Sequence, residues 1–379
     1  MAYSASVETL ISSEIMPTPP DIETQWPNRL RELLAASPIV QDVVIATEPA
    51  GEPGGFRADG EVHFRIADES HRLVIECKSS GQPRHVRDAM SQLGREITRS
   101  HELTRGLVVA PFLSLASRAL LAESGMGWLD LAGNARIVFP RFFLEISMAN
   151  RDPFATKRAH RSLFSPKSAR LLQLLLLRPQ AWKVVDLATE AGVSVGQVSN
   201  VRKALIDREW AQTEAGEGFH LTKPNALLDA WRDDGVQAPT LLKRAYTLQH
   251  GAGLDSAIDQ AFAVAAASGA KLRLASHSVA RRVAPFARVS GEFFYADAAG
   301  LQLLENHLQL VPTDKGENAT IYRAKDDGLW MEPINLQSEI KGTGLIQTYL
   351  DLLASGERGR EAAEHWRAEK ITPILTEAP

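Results

Sequence analysis

The feature that most constrains this chain is an acid followed at short range by a strand-like run ending in Glu-x-Lys. Asp59 stands in Phe56-Arg57-Ala58-Asp59-Gly60-Glu61-Val62, and the chain then reads Leu73-Val74-Ile75-Glu76-Cys77-Lys78. Side chains alternate across a strand, so Glu76 and Lys78 fall on one face while Cys77 turns to the other, into a core. Asp59 and Glu76 can then share a divalent cation, magnesium or manganese, with the main-chain carbonyl of Cys77 as a further oxygen ligand. Lys78 is placed to orient or help deprotonate an attacking water, the chemistry of a metal-dependent nuclease. A Glu-x-Lys alone is ordinary surface chemistry. The pattern gains weight because an acid precedes it and a helix follows, on which Gln92 faces the same edge. Glu23, before the first helix, is a candidate third carboxylate, although the positive end of a helix also accounts for an acid there.

Length and charge bound the alternatives. At 379 residues the chain exceeds one ordinary domain, so two or three are expected, each with its own core. Its longest apolar run near the Leu-rich segment, Leu174 to Leu177, is far short of a membrane span, and no targeting signal precedes Asp21. A single cysteine excludes an internal disulfide framework and any cysteine-based zinc site, which fits a reducing cytoplasm. The net charge of -4 excludes a generic polyanion binder, so a nucleic-acid partner must meet a local basic surface.

Residues 1–20 read as a flexible tail ending at Pro19-Pro20, and order is expected from Asp21. Over 21–150, apolar spacing predicts a helix from Asp21 to about Ser37 and strands at Ile39 to Thr47, Glu61 to Ile66 and Leu73 to Cys77. A helix from Arg84 to Ser100 follows, then a strand from Gly106 to Ala110, another helix, and strands Trp128 to Leu131 and Arg136 to Ile146. The order αβββαβαββ implies an α/β sandwich. Arg151 to Arg170 holds six Lys or Arg against one acid, Asp152, and 151–164 reads as a basic linker.

Residues 165–236 have the rhythm of a winged helix-turn-helix. Helices Ala169 to Leu177, Val184 to Ala191 and Val195 to Asp207 precede a hairpin, Trp210 to Leu221; Gly192 supplies the tight turn, and Leu187, Val193, Val198 and Val201 lock the second and third helices. The third helix is expected to show Ser194, Gln197, Ser199, Asn200, Arg202 and Lys203 to duplex DNA, because Asn and Gln pair with adenine edges and Lys with phosphate or guanine. Lys157, Arg158 and Arg161, with Lys167 and Arg170, would add phosphate contacts and a steep salt dependence. Glu214 and Glu217 in the wing oppose such contacts there. A three-helix bundle used for protein contacts is the plainer alternative.

Residues 240–379 read as an α+β domain with helices at Ser256 to Ser268, Leu345 to Leu353 and Gly359 to Lys370, and strands near Leu272 to Ala275, Phe293 to Tyr295 and Thr320 to Ala324. His250, His277, His307 and His365 lack acids or cysteines at metal-ligand spacing and are assigned structural or surface roles. Asp326-Asp327-Gly328 reads as a turn.

Three runs carry a family resemblance: Glu76-Cys77-Lys78-Ser79-Ser80-Gly81-Gln82-Pro83, Gly106-Leu107-Val108-Val109-Ala110-Pro111, and Gly127-Trp128-Leu129-Asp130-Leu131-Ala132-Gly133-Asn134. They resemble the nuclease-like part of bacterial regulators of the AbiEi antitoxin type. Gln347-Thr348-Tyr349-Leu350-Asp351-Leu352-Leu353, with Gly356, Arg358-Gly359 and Ala362-Ala363-Glu364, is similar to the end of that family. The resemblance implies an α/β and α+β multidomain protein: a PD-(D/E)xK, restriction-endonuclease-like α/β sandwich, a central winged helix-turn-helix and a C-terminal α+β domain. It implies a transcriptional regulator that represses its own operon and, in type IV toxin-antitoxin systems, antagonises a nucleotidyltransferase toxin. Residues 335–342 read as an insertion relative to that family, whose antitoxins need not carry the nuclease-like domain.

The leading expectation is a cytoplasmic regulator that binds double-stranded DNA without a cofactor, plausible as a homodimer on two half-sites. The rivals are a magnesium- or manganese-dependent DNA endonuclease using Asp59, Glu76, Lys78 and Gln92, and a protein-binding module whose C-terminal domain grips a toxin.

Overall fold

In the computed structural model, residues 21–47, 49, 57–99, 103–154, 163–214, 218–286, 289–337 and 339–376 are described. The chain is an α/β multidomain protein of two compact units, Met1–Thr156 and Lys157–Pro379. The expected tail, 1–20, and Lys157, Arg158 and Arg161 lie outside the described residues.

Unit 1 is one seven-stranded sheet between helices. Helix α1 (Ile22–Ala35) starts where the Asp21 carboxylate accepts a hydrogen bond from the Glu23 amide, and it buries Trp26, Leu30 and Leu34 at a spacing of four. Strands β1 (Val40–Thr47), β2 (Gly60–Ile66) and β3 (Glu69–Cys77) form an antiparallel meander. Helix α2 (Pro83–Arg99) crosses to β4 (Leu103–Ala110), and α3 (Leu115–Glu123) crosses to β5 (Gly127–Asp130), so β3, β4 and β5 are parallel at the centre. Strands β6 (Ala135–Phe139) and β7 (Phe142–Ile146) complete the order β1-β2-β3-β4-β5-β6-β7.

The two faces of β3 divide as alternation requires. Leu73 and Ile75 join Trp26, Leu30 and Leu34 of α1, whereas Val74 joins Val86, Ala89 and Leu93 of α2. Glu76 and Lys78 follow Val74 in phase, toward α2. One expectation is corrected here. Arg136 to Ile146 is not one strand, because Pro140 and Arg141 form a tight turn and Phe139 pairs with Phe142 across it. Proline cannot donate to a ladder, but the apolar run on either side masks the break.

Unit 2 begins with α4 (Pro166–Leu177), capped by Ser165, followed by β8 (Trp182–Lys183), α5 (Val184–Ala191) and α6 (Val195–Asp207). Gly192, at φ +62°, ends α5 in the left-handed conformation, and the Val193 amide returns to the Ala188 carbonyl at 3.0 Å. Strands β9 (Ala211–Thr213) and β10 (Gly218–Leu221) close a small sheet of order β8-β10-β9. Helix α7 (Pro224–Ala230) and one wide turn, Trp231–Gly235, lead onward.

The rest of unit 2 is a second seven-stranded sheet. It contains β11 (Thr240–Tyr246), β12 (Leu272–Leu274), β13 (Glu292–Ala296), β14 (Val311–Pro312), β15 (Ala319–Arg323), β16 (Ile334–Gln337) and β17 (Ile340–Gly342), in the order β14-β11-β15-β13-β12-β17-β16. Helices α8 (Gly251–Ser268), α9 (Ser276–Val283), α10 (Ala298–Leu308), α11 (Leu345–Leu353), α12 (Glu357–Trp366) and α13 (Thr372–Thr376) pack around it. Residues 335–337 and 339–342 lie in the edge hairpin β16–β17, and the helix expected to run to Lys370 continues past Trp366 as a wider helical turn, Arg367–Ile371. One hydrophobic core runs from Leu171 and Leu187 of the helix trio through Phe294 and Trp366. Bridges reinforce it: Arg170 grips Asp326, with Nη2 at 2.9 Å, Arg178 meets Glu332, and Arg367 meets Asp229 and Asn225.

Candidate active site

The loop before β2 places Asp59 at the end of β3. Its amide donates to the Ile75 carbonyl at 3.1 Å, and its Oδ2 accepts from the Cys77 amide at 2.7 Å. The carboxylate is thus anchored by the strand that carries Glu76. Lys78 Nζ lies 2.7 Å from Glu76 Oε1 and 3.0 Å from Gln92 Oε1 on α2. Residues spread over three elements therefore meet at one edge. Cys77 packs into the α1 side of the core.

Charge and burial pull against each other here. Glu76 is only 5 % exposed. Burial raises its pKa, the Lys78 hydrogen bond opposes that, and the Asp59 charge adds to the rise. Burial also pushes the Cys77 thiol well up, helped by the charges of Asp59, Glu76 and Glu23, so this cysteine is no thiolate nucleophile. Glu76 Oε2 is buried and has no hydrogen-bond partner among the described residues. An unpaired buried carboxylate oxygen beside a second carboxylate, in an all-oxygen donor set, fits a hard divalent cation. Among the described residues no group of three His, Cys, Asp or Glu side chains is placed to hold a metal ion. Glu23, exposed at the start of α1, contributes charge to the neighbourhood without joining such a group.

The loop Ser79-Ser80-Gly81-Gln82-Pro83 sets where α2, and hence Gln92, begins. A Cβ on Gly81 would lie 2.1 Å from the Phe112 carbonyl oxygen, and that of Gly81 itself accepts from Ser117 Oγ at 2.7 Å and the Ser114 amide at 3.2 Å. Only glycine fits this backbone approach. Gly81→Ala is expected to cost about 1–3 kcal/mol in unit 1, measured as a lower urea midpoint; an unchanged midpoint would show that the loop yields freely.

The other predicted residues lie on the third helix of the trio. Ser199, Asn200 and Lys203 are exposed on α6, Lys203 sharing its charge with Asp207 at 2.6 Å. Ser194 caps the helix through the Gln197 amide, and the Gln197 side chain turns inward to donate to Ser168 Oγ at 2.7 Å. Arg202 lies over the Phe219 ring of β10, 5.8 Å from its centroid. Arg170, expected to contact phosphate, is engaged by Asp326, and its guanidinium lies inside unit 2. His220 Nδ1 is 2.9 Å from Glu214, so this part of the hairpin presents a shielded pair.

Sequence reasoning missed the knot built on Asp130 and Asn134. Asp130 is fully buried and accepts from the Asn134 amide, the Asn134 side chain and the Leu113 amide, with Arg118 Nη2 at 3.8 Å. Asn134 Oδ1 in turn accepts from the amides of Met148 and Ala149. The run Asp130-Leu131-Ala132-Gly133-Asn134 carried the family resemblance, and its fold role is this closure of the sheet after β5.

No protein-family model matches the chain, and no curated protein matches it. Among solved structures it is similar to a repair endonuclease from Pyrococcus abyssi, at 19% identity and a TM-score of 0.22, over 29% of this chain and 46% of that one. It is also similar to EndoMS in its apo form, at 20% identity and a TM-score of 0.21, over 29% and 45%. The chain spans less than half the length of each. The functional reading rests on the site itself.

Proposed function

We propose that the chain is a DNA-acting protein whose N-terminal unit is a metal-dependent endonuclease of the PD-(D/E)xK type and whose residues 165–236 are a winged helix that holds duplex DNA. One observation carries this reading: Asp59, Glu76, Lys78 and Gln92 converge at the carboxyl end of β3 with Glu76 Oε2 buried and unpaired. Asp59, Glu76 and the Cys77 carbonyl would hold magnesium or manganese, which when bound supplies Lewis-acid stabilisation of charge on the phosphoryl group. Lys78 has three donors, of which Glu76 and Gln92 occupy two, leaving one N–H to hold a water near the scissile phosphate. Gln92 keeps the ammonium in place without adding charge.

The test is incubation of wild type, Lys78→Ala and Glu76→Gln with plasmid and linear duplex in magnesium, manganese or chelator. Wild type is expected to cut only with metal, and each variant to be slower by about a hundredfold or more. Cutting that survives chelator, or that both variants retain, would exclude this site.

The regulator reading is favoured by the lack of a third metal-ligating side chain among the described residues. Under it, the same incubation leaves DNA intact and gives a chelator-insensitive mobility shift that Asn200→Ala with Lys203→Ala weakens by about tenfold. The antitoxin role, a nucleotidyltransferase toxin as partner and a homodimer on paired half-sites belong to this second reading. Co-purification with such a toxin and a dimer mass in solution are their tests.

A further inference from the structure

Strands β13 and β15 run parallel in unit 2, and two cavities open at their carboxyl ends, where ligands of α/β sheets commonly bind. The outer cavity, about 450 Å³, is lined by Lys271, Arg323, Lys325 and Trp330 together with Asp297, Asp326 and Asp327. The inner one, about 110 Å³, is walled by Phe164, Trp231 and Leu350 and by the polar groups of Gln173, Gln347 and Tyr295. Both are lined by Arg323, Lys325 and Asp326, so one ligand can span them.

Two of the three acids of the outer cavity are paired with cations, and the third, Asp297, keeps its charge as a helix cap. Asp327 takes Lys271 Nζ at 3.0 Å, Asp326 takes Arg170, and Asp297 caps α10 by accepting from the Gly300 amide at 2.7 Å. Arg323 is exposed and its guanidinium has no hydrogen-bond or ion-pair partner among the described residues, and Lys325 reaches only the neutral carbonyl of Ala238, at 3.0 Å. Two cations without a charged partner against the single unpaired acid, Asp297, leave the cleft net positive, which favours an anion.

The inner cavity calls for a different group. Gln173 is 3 % exposed, and its side chain makes no hydrogen bond among the described residues. Its amide lines the cavity and is free to pair with a group that enters. Gln347 donates to Asp351 at 2.8 Å, which leaves its carbonyl oxygen able to accept. The rings of Phe164 and Trp231 stack at 5.7 Å to form an apolar wall.

We propose that the two cavities bind one nucleotide, its base in the inner cavity against Gln173 and Gln347 and its phosphates against Arg323 and Lys325. The full chain, in chelator so that the Asp59–Glu76 edge holds no metal–nucleotide complex, is titrated calorimetrically with each of the four ribonucleoside triphosphates and with inorganic tripolyphosphate. At least one nucleotide is expected to saturate one site per chain and to bind about tenfold or more tighter than tripolyphosphate. Arg323→Ala with Lys325→Ala is expected to weaken it about tenfold or more, and Gln173→Leu to flatten the preference among bases. Both cations are exposed, so the double variant should keep the wild-type circular dichroism spectrum and thermal midpoint. The proposal is overturned if no nucleotide saturates below about 1 mM, if the double variant binds as wild type does, or if tripolyphosphate binds as tightly as every nucleotide.

Discussion

Asp130→Ala is expected to lower the stability of unit 1 by about 3–5 kcal/mol, enough to move its thermal transition down by about 10 °C. The carboxylate accepts from two main-chain amides and one side-chain amide in a site with no exposure, and it faces a buried guanidinium, that of Arg118. Alanine leaves those donors without an acceptor and Arg118 without its counter-charge, so the cost is that of several orphaned groups at once. Thermal unfolding of the full chain, followed in the far ultraviolet, would show one transition shift while the other stays. A shift under about 2 °C would mean that water reaches the knot and replaces the carboxylate.

The second large effect is pH-dependent and belongs to unit 2. Asp351 on α11 is fully buried, accepting from Tyr295 Oη at 2.9 Å and from Gln347 at 2.8 Å. Burial raises its pKa from 3.8 to about 7, and the hydrogen bonds from Gln347, Tyr295 and the Ser276 main chain only partly oppose this. Between those values the folded chain keeps the proton that the unfolded chain has released. Stability therefore falls as pH rises through this window and levels off above about 7, a loss of at most about 4 kcal/mol. Asp351→Asn removes the titration but keeps the acceptor for Tyr295. It is expected to be more stable than wild type at pH 8 by about 2–4 kcal/mol, with the advantage shrinking toward pH 4. Urea titrations of both proteins at the two pH values decide it; a difference that does not change with pH would show that Asp351 does not titrate in the folded state.

What was legible in the sequence depended on period and punctuation. The helix Val195–Asp207 has the bounds read from its spacing, because Ser194 caps it and Gly192 ends its predecessor. The grouping of Glu76, Lys78 and Gln92 was legible for a related reason: alternation along β3 and the apolar stripe of α2 both point one way. Helix α9 was missed because Ser276-His277-Ser278-Val279-Ala280-Arg281-Arg282-Val283 reads as polar, yet its Ser278, Arg281 and Arg282 converge on buried Glu292. Strand β11 was missed because its residues are mostly exposed or half-exposed and carry no clean alternation. The unpaired Glu76 oxygen, the close approach at Gly81 and the inward turn of Gln197 depend on neighbours distant in sequence, so no local pattern announces them.

The common core of unit 2 bears on how this protein can change over generations. If α6 meets DNA as proposed, Ser199, Asn200 and Lys203, which face outward on it, are positions where substitution changes recognition while leaving the core untouched. Arg170, Arg178 and Arg367 are different, because each is tied to a residue of unit 2 more than 130 positions away. A recombination that joined the helix trio to a foreign sheet would take Asp326 from Arg170 and Glu332 from Arg178, and open the hydrophobic seam beneath them. On the proposed reading, new target preference is therefore expected to arise by drift on that helix surface, with the trio and its sheet inherited together.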